Sequence, residues 1–162
     1  MDEPLFTQVD EQEPIIQVAH MLVADSMSEF KQLIQSLPNA LCSAKLRFRY
    51  PDLSNEHGQD RFFFLWLSQV GYHEREGIYS GAFFQVPRGF EKYHPIGSRL
   101  GFEPEDVFDW MVNLEGHIFG GYTIRAIRAQ LPESRRTEFD SYIGAESYED
   151  IPFDSFLRRQ TS

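Results

Sequence analysis

Cysteine occurs once in this 162-residue chain, at Cys42. A single thiol cannot build a disulfide framework, and that fits a reducing compartment. Long apolar runs are missing too: none approaches the roughly 20 residues that span a bilayer. Basic residues are outnumbered, 15 against 25 acidic ones, for a formal net charge of -10 and a pI near 4.9. That balance disfavours nonspecific binding to DNA, RNA or anionic lipid; it suits a basic protein partner, or simply solubility. The first 13 residues contain Asp2, Glu3, Asp10, Glu11 and Glu13 but no Lys or Arg, the opposite of the charged start of a secretory signal. The expectation is a cytoplasmic protein with no membrane partner.

Local catalytic signatures are also lacking. There is no GxSxG, no phosphate-binding P-loop and no GxGxxG. The histidines His20, His57, His73, His94 and His117 make no HExxH or comparable metal spacing. Glu56-His57 and His73-Glu74 are adjacent pairs, and neighbours on an extended chain point apart. No metal and no cofactor is expected. With nothing local to activate it, Cys42 reads as a small packing residue. Asp106 and Asp109, close to Trp110, are the best-placed carboxylates and read first as helix caps.

What the chain does have is aromatic residues, 15% of the total, concentrated in Arg61–Val70, RFFFLWLSQV. In a strand Phe62, Phe64 and Trp66 share one face and Phe63, Leu65 and Leu67 the other. Both faces are apolar, which predicts a strand covered on both sides at the centre of the core. Upstream, residues 15–24 read as a helix after Pro14. Met27, Phe30, Leu33, Ile34 and Leu37 give a second helix, with Ser26 or Ser28 available to cap it. Residues 44–50 alternate, placing Lys45, Arg47 and Arg49 on an outer basic stripe that reads as edge protection or a binding surface.

Residues 51–60 read as a loop, and 78–86 as the return strand of a hairpin. Gly81 there marks a bulge or a close backbone approach. Residues 99–102 form a short strand, and Pro104-Glu105-Asp106 a first helical turn. Residues 110–114 and 117–127 read as a hairpin about Glu115-Gly116, with Gly120-Gly121 allowing a sharp bend or the approach of an aromatic. Residues 131–143 read as a final helix stopped by Gly144. The expected organisation is an acidic arm over 1–13, one α+β domain over 14–143 and a polar tail over 144–162. The expected fold is a small, strongly bent antiparallel sheet or partly open SH3-like barrel with flanking N- and C-terminal helices.

Residues 97–128, GSRLGFEPEDVFDWMVNLEGHIFGGYTIRAIR, carry a resemblance. Gly97, Val107, the run Asp109-Trp110-Met111, and Gly120-Gly121-Tyr122-Thr123 with Arg125 resemble the pattern of the bacterial domain-of-unknown-function 2314 family, also called YegJ-like. Leu65-Trp66-Leu67-Ser68, Gly81 with Pro87, and Ser28-Glu29-Phe30 match further elements, so the likeness covers roughly residues 14–143. Members often carry a Glu-His pair where this chain has Phe63 and Phe64, which argues for packing over chemistry on that strand.

Two functions compete. The first is a non-enzymatic protein-binding module, an immunity-protein-like cover for a basic partner, through the acidic arm and the loop aromatics Phe90 and Tyr93. The second is a small-ligand binder or enzyme whose site lies at the matched positions Asp109, Trp110, Tyr122 and Arg125. In the second, Arg125 holds an anionic ligand, or else pairs with Asp109 to brace the sheet.

Overall fold

The computed structural model describes residues 13–49 and 62–150. Helix α1 (Pro14–Asp25) begins on Pro14, whose fixed φ suits the first helical position. Helix α2 (Met27–Ser36) follows after one residue. Among the described residues seven strands come next: β1 (Leu41–Arg49), β2 (Phe62–His73), β3 (Ile78–Phe83), β4 (Arg99–Phe102), β5 (Val107–Leu114), β6 (His117–Gly120) and, late in the chain, β7 (Ser147–Tyr148). Between β6 and β7 lie α3 (Tyr122–Gln130) and α4 (Glu133–Ile143). The strand order is β4-β3-β2-β1-β5-β6-β7, antiparallel except for the parallel β6–β7 edge. The architecture is α+β with flanking helices, as expected, and the sheet is open.

The sheet must also curl. β4 and β5 are separated in the sheet by β3, β2 and β1, four strand spacings or roughly 19 Å if flat. The chain joins them with a single 3-10 turn, Pro104–Asp106. Glu103 caps that turn reciprocally with Asp106, whose Oδ2 accepts the Glu103 N–H at 2.9 Å. A contracted turn cannot bridge a flat sheet of that width, so β4 is rolled back toward β5.

The aromatic strand β2 is covered on both faces. Leu65 and Leu67 join α2's Phe30 and Leu33 in the main core with Ala44, Leu46, Trp110 and Val112. Phe64 packs with Ile16, Phe108 and Ala126, and Trp66 with Met111, Ile118, Ile124 and Phe139. The hairpin partner is β3, as expected. Gly81 is a close-approach glycine: a Cβ there would stand 2.9 Å from Leu67 Cβ. It faces a bulge in β2 between Ser68 and Gly71, where Gln69 has φ 51°.

Several expectations are corrected. Strand β1 is central, paired with β2 and β5, so its basic residues do not protect an edge. Lys45 is buried rather than part of an outer stripe; Arg47 and Arg49 are exposed. The second arm of the last hairpin ends at Gly120, and Tyr122 starts a helix where a strand to Ile127 was expected. Ser26 precedes α2 but makes no cap with its side chain; its hydroxyl donates to the Val23 carbonyl and accepts from Trp110 Nε1–H at 2.9 Å. Phe90 is buried against Phe63, with ring centroids 4.6 Å apart, and is not a surface aromatic. Tyr93 is exposed. The acidic arm through residue 12, the 51–60 loop and the tail from residue 151 lie outside the described residues.

Candidate functional site

The matched polar residues meet where β5, β6 and α3 join. Gly120 and Gly121 both have positive φ, 71° and 66°, which turns the chain from β6 straight into α3. Gly121 N–H donates to the Trp110 carbonyl at 2.6 Å. A Cβ on Gly120 would lie 2.5 Å from that carbonyl oxygen and 2.6 Å from the indole ring. The glycine pair thus provides both a bend and a seat for an aromatic.

The new helix starts with its backbone N–H groups unpaired, and no neighbouring side chain caps them. Asp109, on the adjacent strand and fully buried, does so instead. Its Oδ1 accepts from Tyr122 N–H at 3.1 Å and Trp110 N–H at 2.8 Å. Its Oδ2 accepts from Thr123 N–H at 2.8 Å and the Thr123 hydroxyl at 2.5 Å. Lys45 completes the chain from the other side of β5, donating from Nζ to Thr123 Oγ1 at 2.7 Å. Its ammonium also lies 5.4 Å from the Trp66 ring and 5.7 Å from that of Phe108. Register explains the meeting: Lys45 stands opposite both Asp109 and Trp66.

Burial disfavours both charges. It pulls the Lys45 amine down to about 8, against the attraction of Asp109. It pushes the Asp109 carboxyl upward, opposed by Lys45 and by the Thr123 and Tyr122 bonds. The direction of donation, ammonium to hydroxyl to carboxylate, keeps each proton on the outer donors and suits an ionised Asp109.

Arg125 does not pair with Asp109. Its Nε donates to the Gly120 carbonyl at 2.8 Å, and Nη2 to the Ile118 and Glu149 carbonyls at 3.2 and 2.9 Å. Its remaining arm is paired with Asp150. The guanidinium is thereby a clip between the β6–α3 junction and the strand that ends the described chain. Arg128 repeats the device one turn on, with a bidentate contact to Asp140 at 2.8 and 2.9 Å, and Tyr148 donates to the same carboxylate.

Openings adjoin these elements. A small one of about 210 Å³ is lined by Trp110, Tyr122, Glu29, Glu149 and Asp150, so its polar walls are acidic. A larger one of about 700 Å³ lies beside α1, between His20, Met21, Phe48, Phe102, Glu105 and Asp106. Sequence reasoning missed Lys45 and Thr123 as members of the buried set. The alternation that placed Lys45 opposite an apolar face was visible, but what covers that face was not. Among the described residues there is no group of three or more His, Cys, Asp or Glu side chains able to hold a metal, and no helix is long and apolar enough to cross a membrane.

Residues 13–147 match the model of a family described as an uncharacterised protein conserved in bacteria. The chain belongs to this family, DUF2314. Over 80 residues this DUF2314 chain is 43% identical to a putative ankyrin repeat protein of Neisseria meningitidis serogroup B. The match takes in 49% of this chain and spans 30% of the relative's length. No solved structure matches. The residues that carry the DUF2314 resemblance, Asp109, Trp110, Gly120, Gly121, Tyr122, Thr123 and Arg125, fall at one junction of strand, turn and helix.

Proposed function

We propose that this protein is a non-enzymatic binding module that presents α1 to a basic protein partner. The observation that carries this reading is the outer face of α1. Val18, Met21 and Leu22 are 55%, 64% and 45% exposed, and Ile15 continues the stripe. One exposed apolar side chain is ordinary; four on one short helix of a strongly charged protein make a patch. Three carboxylates lie near it, Asp25 at the end of the helix and Glu105 and Asp106 in the adjoining cleft beside Met21, which Arg47 and His20 also line. An apolar strip with more carboxylates than cations beside it suits a partner with an apolar centre and Lys/Arg groups at its rim, and the net charge of -10 would steer the encounter.

The polar residues at the β5–α3 junction serve, in this reading, to hold the scaffold. Asp109 and Arg125 have their hydrogen-bonding groups engaged by their own chain, which leaves little for a substrate. The relative named as a putative ankyrin repeat protein accords with a binding role, because stacked repeats of that kind form extended binding surfaces.

The test has two stages. Immobilised protein is used to capture partners from a bacterial lysate at low and high salt, and the captured protein is identified and purified. Its affinity is then measured for the wild type and for the double variant Val18→Asp/Met21→Asp, whose fold is checked by circular dichroism. A basic partner bound at least tenfold more weakly by the variant is expected. Equal affinities, or no enrichment over a bead control, would remove the proposal.

A further inference from the structure

The face of the sheet under α4 changes character along the strands. β2 carries Phe64 and Trp66 on this face and then Ser68; β1 carries Lys45 and then Ser43, which stands opposite Met111 of β5. Where hydroxyl side chains take over from large rings, a hollow of about 390 Å³ opens, with Tyr142 and Ile143 from the last turn of α4 among its walls. It is separate from the α1 surface: no residue is shared with the cleft beside Met21.

Three features set it apart from a packing defect. Its volume is that of a small-molecule site. None of its lining side chains carries a formal charge, although the chain as a whole has 25 acidic and 15 basic residues. And one of its walls holds an unmade hydrogen bond. Trp66 is 2% exposed, and its indole N–H has no partner among the described residues. Trp110, the other tryptophan, donates to Ser26 Oγ. Native interiors seldom leave such a donor unpaired without a reason. The ring is held in place, with the Lys45 ammonium over it and Met111, Ile118 and Phe139 packed around it.

We infer that this hollow binds a neutral, mainly apolar small molecule bearing an oxygen acceptor, a ketone or ester on an aromatic or aliphatic body, with that oxygen taking the Trp66 N–H, which is covered in the free protein and is uncovered by a small shift of the side chains around it. Phe84, Met111 and Ile143 supply the apolar contact. Ser43, Ser68 and Asn113 offer further polar contacts. A charged ligand would find no counter-ion in the walls and would lose its hydration.

The probe is prodan, a neutral naphthalene ketone whose emission moves to the blue when it leaves water. Titration into the full-length protein gives a saturable blue shift at one molecule per chain. In proton–nitrogen correlation spectra of the wild type, the indole resonance of Trp66 moves on saturation and that of Trp110, already bonded, stays. Trp66→Phe keeps a ring but drops the donor and weakens binding about tenfold. Ser68→Met fills the hollow and abolishes binding at the same probe concentrations. No saturable blue shift, movement of the Trp110 resonance alone, or unchanged affinity in Ser68→Met would each overturn the inference. Unchanged affinity in Trp66→Phe would overturn the role given to the indole. If either variant fails to fold, the two wild-type measurements decide between these outcomes.

Discussion

Asp109 and Thr123 are bonded twice over: one carboxylate oxygen accepts the Thr123 N–H at 2.8 Å and the Thr123 hydroxyl at 2.5 Å. A strand residue thus caps a helix that begins thirteen positions later, and the lysine behind it, Lys45, fixes the hydroxyl's direction.

Replacing Asp109 by Asn keeps the shape but puts an NH₂ where an acceptor oxygen received hydrogen bonds. The cap is weakened and Lys45 is left buried without its counter-charge. Urea unfolding should show a loss of about 3 kcal/mol, the scale of a broken buried pair with a lost cap. A loss below about 0.5 kcal/mol would mean that the carboxylate does not carry the junction.

Lys45 makes stability depend on alkaline pH. The native amine releases its proton near pH 8 and the unfolded one near 10.5, because burial disfavours the ammonium despite Asp109. Between those values the unfolded chain holds more protons, so the unfolding free energy rises with pH, by on the order of 3 kcal/mol across the window. Cys42 works the other way: burial pushes its thiol up to about 11, so its contribution falls as pH rises above 9. The comparison that isolates Lys45 is the wild type against Lys45→Met, measured from pH 7.5 to 10.5. The rise should be present only in the difference between them.

Gly120 and Gly97 both have positive φ, but only one is crowded. A Cβ on Gly120 meets the Trp110 carbonyl and ring, whereas a Cβ on Gly97 meets nothing within 4 Å. Gly97→Ala should cost about 1 kcal/mol from backbone strain alone. Gly120→Ala should cost about 4 kcal/mol or prevent folding, because rigid atoms must move. Similar denaturation midpoints for the two would refute the close approach.

Arg125→Lys retains the charge but cannot span the Gly120, Ile118 and Glu149 carbonyls with one planar group. The expected cost is about 1–2 kcal/mol, concentrated at the β6–β7 edge. Hydrogen exchange is the direct readout: the Glu149 amide, which donates to Ile118 at 2.7 Å, should lose protection while core amides of β1 and β2 keep theirs.

Much of the fold was legible because it rests on short-range patterns. The doubly apolar FFFLWL run announced a covered strand, and the Glu115-Gly116 turn, with φ of 51° and 92°, is a hairpin its sequence advertises. The start of α3 was hidden for a physical reason. Tyr122, Thr123 and Ile124 favour strands, and the residue that caps the helix is far away in sequence. A helical signal did exist in Ala126, Arg128, Ala129 and Gln130. The burial of Lys45 is not legible, because alternation tells which face a side chain takes, not what a helix lays over that face. Asp109 reads from the sequence as a cap for a helix before Trp110; the helix it caps, α3, begins after it and is found only in three dimensions. The paired roles of Arg125 with Asp150 and of Arg128 with Asp140 depend on how α4 returns, which no local pattern encodes.

Capping from a neighbouring strand has a consequence for the order of folding. At nine residues, α3 is shorter than the roughly 12–15 needed for an isolated helix to persist in water. Its cap exists only once β5 and β6 have paired, and the cap's lysine arrives only when β1 has docked from 78 positions away. The helix therefore cannot seed the structure. It is expected to condense onto a sheet already assembled, with Arg125 on that helix then gathering in β7, so that α3 and β7 close one after the other like latches, an order that pulse-labelled hydrogen exchange would reveal as late protection of both.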